Sequence, residues 1–230
     1  MSDKATLLFD LDGTLVDSEP GIINGIQHVF AAMAQPVPEA AALRPWIGPP
    51  MRDSFQAVFA DEAHVAQALA LYRQRYDTLG WTELTVYPGI PELILALQAA
   101  GHRLAVVTSK NERSARQILS NLPFGACFEE IVGASDDGQR RFKVDLIAEA
   151  LRRLSVPAET CVMIGDRLMD IEGAAQHRIR SIGVLWGFGD RTELVAAGAG
   201  EVVASPAELR AYLCLPVDAS CRAAPAVGGA

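Results

Sequence analysis

Lysine is scarce in this chain. Of its 230 residues only Lys4, Lys110 and Lys143 are lysine, and the stretch from 13 to 90 has none. Acidic side chains outnumber basic ones 28 to 20, for a net charge of −8, which argues against a scaffold for nucleic acid polymers. Long apolar runs are missing as well. The longest are strand-sized, far short of a membrane span, and the N-terminus shows no basic stretch leading into a longer apolar one, as a signal peptide would need. The four histidines (28, 64, 102 and 177) and four cysteines (127, 161, 214 and 221) lack the paired spacing of a metal site. Cys161 lies in an apolar run and reads as a small core residue. Nothing demands an oxidising compartment, and no internal repeat is visible. These absences predict a soluble, cytoplasmic globular protein, a monomer or homodimer with no membrane partner, built as one large domain or one domain carrying an insertion.

What the sequence does contain is alternation. The runs 5–10, 103–109, 129–134, 161–166, 181–186 and 201–205 read as buried strands, and 90–101, 112–122, 143–154 and 169–178 read as helices. In the third helix Val144, Ile147, Leu151 and Leu154 recur at three- and four-residue steps. Such alternation predicts an α/β fold, a doubly wound, Rossmann-like parallel sheet with helices on both faces. Between Ser18 and Tyr87 no strand is expected, only helical patterns at 20–34, 49–60 and 61–79. The expected organisation is therefore an α/β core of residues 1–17 and 86–213 with an inserted all-helical cap, 18–85, hinged near "DSEP" and "VYPGI". Residues 214–230, small and rich in Pro, Gly and Ala, read as a disordered tail.

Chemistry gathers where the strands end. The run "LLF" closes on Asp10 and Asp12; Thr108 and Ser109 end the second strand, and Asp166, with Asp170 beyond it, ends the fourth. In a parallel sheet these ends share one edge, where ligands bind. Asp alone commonly caps helices or begins turns. Two acids after a buried run, with a third converging on them, instead repel one another unless a positive charge sits among them. A hard divalent ion with oxygen ligands answers this, and Mg²⁺ is favoured because it takes one or two carboxylates together with water and substrate phosphate.

"FDLDGTL" (9–15), "VVTSK" (106–110), Lys143 and "GDRLMD" (165–170) resemble, in order, the four motifs of the haloacid-dehalogenase-like superfamily, and the helical insertion resembles its cap. The similarity runs from about residue 5 to 213 and is nearest to phosphoglycolate-phosphatase-like members. It implies that Asp10 attacks phosphorus to form an aspartyl-phosphate, and that Asp12 protonates the leaving oxygen and later takes a proton from water. It also implies Mg²⁺ on the Asp10 side chain, the Asp12 backbone carbonyl and the Asp166 side chain, with phosphoryl oxygens held by Thr108, Ser109 and Lys143. Asp170 would stand behind them, orienting water or Lys143. One departure is Val144, where relatives often carry proline after the lysine. Lys110 is the rival to Lys143 as phosphate lysine.

Within that resemblance Asp12 favours phosphate esters over haloacids, because an alkoxide needs a proton and a halide does not. A Schiff-base phosphonatase would need a cap lysine, which 13–90 lacks. The expected partner is a small phosphate monoester, 2-phosphoglycolate or alternatively a nucleoside monophosphate; a sugar phosphomutase is the further alternative. In the cap loop 44–55, Arg52 is a candidate to read an anionic group on the substrate, beside the reading of a solvated helix arginine. Trp46 is expected to pack between cap and core rather than stack on a base.

Overall fold

The computed structural model describes residues 4–214, so the expected tail, 214–230, lies outside the described residues but for Cys214, which ends a helix. The chain opens with strand β1 (Thr6–Phe9) and the two-residue β2 (Val16–Asp17). Four helices follow: α1 (Glu19–Ala32), α2 (Ala40–Leu43), α3 (Met51–Gln56) and α4 (Glu62–Thr78). After β3 (Thr85–Val86) strand and helix alternate: α5 (Ile90–Ala99), β4 (Arg103–Asn111), α6 (Glu112–Ser120), β5 (Glu130–Ala134) and α7 (Lys143–Leu154). The series ends with β6 (Cys161–Gly165), α8 (Leu168–Gln176), β7 (Arg180–Val184), α9 (Arg191–Ala196), β8 (Glu201–Val203) and α10 (Pro206–Cys214).

Six strands form one parallel sheet in the order β5-β4-β1-β6-β7-β8. Side chains alternate across it, as the strand period dictates. Leu7 and Phe9 pack on one face with residues of α5, α6 and α10, while Leu8, Ala105 and Met163 pack on the other with α7 and α8. With both faces covered, the central strands are apolar throughout, and this is the doubly wound α/β fold that the alternation predicts. None of the described helices is long and apolar enough to cross a membrane.

The helical segment between β2 and β3 has its own aromatic centre. Phe55 is fully buried and meets Trp46, Phe59 and Tyr72 at ring separations of 5.6, 6.1 and 6.2 Å. Trp46, expected between cap and core, meets rings of the helical segment itself, tilted on Phe30 and edge-on to Phe55. Helix α3 is shorter than the pattern over 49–60, beginning after Pro50 and ending at Gln56. Helix α4 starts where the Asp61 side chain accepts the amide of His64. One expectation fails: Thr85–Val86, inside the stretch read as strandless, pairs antiparallel with Val16–Asp17. Two residues are too few for a period-two pattern to register. This small ladder ties the entry and exit of the helical segment together.

Truncating Phe55→Ala should cost about 3–5 kcal/mol, the range for emptying a buried phenylalanine site. Denaturant unfolding measures it; a loss below about 1 kcal/mol would show that the cluster collapses freely around the gap.

Candidate active site

The turn after β1 is fixed by its backbone. Asp10 donates its amide to the Ile164 carbonyl on β6 (2.9 Å), and the amides of Leu15 and Val16 both return to the Leu11 carbonyl. Gly13 adopts φ +82°, a left-handed conformation that glycine enters at no steric cost. Space demands glycine there too, since a β-carbon would stand 2.1 Å from Asp166 Oδ2. At Gly187, in the loop after β7, it would stand 2.5 Å from that same oxygen. Two glycines therefore let both loops close on Asp166.

Asp166 is wholly buried. Its Oδ1 accepts from the Thr14 hydroxyl (3.0 Å) and its Oδ2 from the Phe188 amide (2.8 Å). Asp170, in the first turn of α8, accepts the Arg167 amide on Oδ2 (3.1 Å). Lys143 begins α7 and is buried; its Nζ donates to the Val107 carbonyl (2.9 Å) and lies 3.0 Å from Asp10 Oδ1 and 2.6 Å from Asp170 Oδ1. Both approaches fall at ion-pair distance. Charge attraction holds the group together. Burial pushes the Asp10 carboxyl up to about 7 against the pull of Lys143, with Asp170 and Asp12 adding to the rise. Burial, then Asp170 and Asp10, also raise Asp166 well above the usual carboxylate range, against the hydrogen bonds from Phe188 and Thr14. For Lys143 burial acts downward, but Asp10 and Asp170 outweigh it and hold the ammonium charged.

Asp10, Asp166 and Asp170 each offer an oxygen, all within 4.8 Å of one another. Three acids gathered about one ammonium make a cluster of hard oxygen donors. That donor set fits a divalent cation of the Mg²⁺ or Ca²⁺ kind. The set expected from the sequence was the Asp10 and Asp166 side chains with the Asp12 backbone carbonyl. The structure brings Asp10 and Asp166 together, adds Asp170, and sets the Asp12 side chain apart.

Asp12 has different company. Its Oδ1 accepts from the buried Ser18 hydroxyl (2.5 Å), and its Oδ2 pairs with Lys110 Nζ (3.0 Å), which sits 4.4 Å over the Tyr76 ring of α4. Burial acts to lower the Lys110 pKa, but Asp12 and the two tyrosines outweigh it and hold the ammonium charged. Of the two rival lysines, Lys143 thus attends Asp10 and Lys110 attends Asp12. Thr108 is buried within β4, its hydroxyl accepting the Lys110 amide (3.2 Å). A cavity of about 290 Å³ opens above Asp10, Asp12, Thr108 and Ser109, walled by the helical segment. Arg52 lines it, ion-paired to Glu62. Sequence reasoning passed over Thr14, Ser18, Tyr76 and Gly187. Only Thr14, inside "DGT", and the glycine pair of "WGFG" carried a local signal.

The buried acids make a stability prediction for the cation-free protein. A carboxyl whose folded pKa exceeds its unfolded value of about 3.9 contributes fully below that pH, and its contribution is lost as pH rises through the folded value. Asp166→Asn should therefore gain on the parent in thermal stability as pH rises above about 4, each kcal/mol appearing as about 2–4 °C. A melting difference that does not change with pH would contradict this.

Haloacid dehalogenase-like hydrolases match residues 7–184. The tyrosine-protein kinase PtkA of Mycobacterium tuberculosis is 43% identical over 183 residues, 80% of this chain but 62% of that one, so the chain spans less than two thirds of that relative. A 5′-nucleotidase of Pseudomonas aeruginosa is 40% identical over 208 residues, 90% of this chain and 94% of that one. Among solved structures, a predicted phosphatase from Clostridium acetobutylicum superposes with a TM-score of 0.87 at 36% identity, covering 91% of this chain and 98% of the other. With its motif acids gathered at one edge of a doubly wound sheet, the chain belongs to the haloacid dehalogenase-like hydrolase family.

Proposed function

We propose that this protein hydrolyses small phosphate monoesters through an aspartyl-phosphate on Asp10, with Mg²⁺ as its cation. The observation that carries this reading is the contrast between two acids only two residues apart. Asp10 sits among buried acids and Lys143, whereas Asp12 is turned to Ser18 and Lys110 at the cavity wall. Such a division suits one nucleophile and one proton carrier.

In the first step an Asp10 carboxylate oxygen forms a bond to phosphorus as the bond to the ester oxygen breaks, and Asp12 gives that oxygen its proton. In the second, water attacks the same phosphorus, Asp12 takes its proton, and the Asp10–phosphorus bond breaks to release inorganic phosphate. Thr108, Ser109 and a lysine hold the phosphoryl oxygens. Asp10 and Asp166 would hold the cation together with the Asp12 carbonyl, and Asp170 would steady Lys143 beside them. When bound, the cation offsets the repulsion between Asp10 and an anionic phosphate. The helical segment, acting as a cap, walls the reacting centre, and the cytoplasm is the expected compartment. The relative named a tyrosine-protein kinase extends well beyond this chain, so its activity is not carried over. The substrates toward which the sequence points, 2-phosphoglycolate and a nucleoside monophosphate, differ in the charge of the leaving group.

Phosphate release from a panel of monoesters should cease on chelation and return with Mg²⁺. Asp10→Asn should abolish turnover. Asp12→Asn should retain Mg²⁺ binding and lower kcat by about 10²–10⁴-fold, the usual worth of a general acid–base group. Equal loss of Mg²⁺ affinity in both variants would refute the division of labour.

A further inference from the structure

One loop of the cavity wall hangs from the acid cluster through a single arginine. Gly48, Pro49, Pro50, Met51 and Arg52 border the cavity, and Ile47, just before them, is buried with its carbonyl turned to the guanidinium of Arg167. Arg167 is not among the described residues that border the cavity. It lies between Asp166 and the first residue of α8, Leu168. Its Nη1 donates to the Ile47 carbonyl and its Nε to Glu193 Oε1 on α9 (2.8 Å). That same oxygen accepts the Leu168 amide (2.8 Å), so Glu193 grips the start of α8 by side chain and backbone together. The Arg167 side chain is 13% exposed, and its planar fork, held at two donors, has little freedom left to turn.

The loop is shaped for this seat. Gly48 takes φ +110°, in the left-handed region that glycine enters freely. A β-carbon there would stand 3.0 Å from Met169 Cε and 3.1 Å from Arg167 Cγ. The backbone at Gly48 therefore lies against the arginine stem while the preceding carbonyl meets the guanidinium. Both contacts join the loop 47–52 to the segment that carries Asp166 and Asp170, two of the three clustered acids. We infer that Arg167 is a positioning residue for substrate. It fixes how far the loop 47–52 stands from the phosphoryl site at Asp10, Thr108 and Ser109, and so sets the room given to the leaving group. This deepens the monoester-phosphatase reading and rests on it for the place of the phosphate, whereas the seating of the loop does not depend on it.

Arg167→Met keeps the apolar stem and removes both donors. A wall loop set loose weakens ground state and transition state alike, which raises KM and leaves kcat alone. For phenyl phosphate with Mg²⁺, KM should rise about tenfold, the low end for losing a charged hydrogen bond, with kcat within about twofold. For methyl phosphate, whose leaving group is a single carbon, KM should stay within about twofold. Equal rises for both esters, or a fall in kcat at constant KM, would mean that Arg167 acts on the acid cluster and would overturn the inference, as would no change with either ester. Hydrogen exchange without ligand reads the loop itself. The peptide spanning 44–56 should exchange faster in the variant than in wild type, while β6 exchanges as before; unaltered exchange at 44–56 would refute the seating. Arg167→Lys, which keeps the charge and can fill one of the two acceptors, should fall between the two proteins in KM and in exchange, and it carries the test if the methionine variant does not fold. If wild type releases phosphate from neither ester, the hydrolase reading fails, and titration with benzylphosphonate against methylphosphonate makes the same comparison of wild type and variant.

Discussion

Lys143 places one ammonium between Asp10 and Asp170, with Asp166 beside them, all out of water. Removing that ammonium would leave three buried acids facing each other, and breaking a buried pair this way commonly costs about 3–5 kcal/mol. The position of Lys143 follows from the fold. It opens α7, which packs against the sheet so that the lysine stem crosses to β4, where Nζ reaches the Val107 carbonyl. Gly173 on α8 leaves room for that stem, since a β-carbon there would stand 3.0 Å from Lys143 Cβ. One helix start, one glycine and one strand carbonyl thus set the charge balance on which nucleophile and cation site both depend.

Asp12 escapes this balance because its turn aims it at the helical segment. Ser18 leads into α1, and Lys110 lies under Tyr76 of α4, so the proposed proton carrier is held by groups at the cavity wall. Other ties across the cavity are weaker. Arg113 pairs with Asp77, Arg141 with Asp53, and Arg167 donates to the Ile47 carbonyl, mostly at partly exposed positions. Exposed pairs contribute at most about 1 kcal/mol each.

Much of this was legible in the sequence. Strands β1 and β4 to β8 announced themselves because a sheet covered on both faces needs unbroken apolar runs, and Asp10, Asp12 and Asp166 stood out as acids ending such runs. What stayed hidden was pairing between residues far apart in the chain. Nothing local says that Lys110 will answer Asp12, that Arg52 will be occupied by Glu62, or that Lys143 will stand between Asp10 and Asp170. The β2–β3 ladder was missed for want of length. Gly13 and Gly187 were invisible as a pair because their shared purpose, room around Asp166, exists only once two loops have met.

The covalent step is the central claim, and trapping it tests that claim most directly. Enzyme with Mg²⁺ and a rapidly cleaved aryl phosphate is quenched in acid within a turnover, digested and mapped by mass. The account predicts one acid-stable, hydroxylamine-labile phosphoryl group on the peptide that carries Asp10. Phosphate release with no phosphorylated peptide at any time, or a phosphoryl group on a residue other than Asp10, would contradict it.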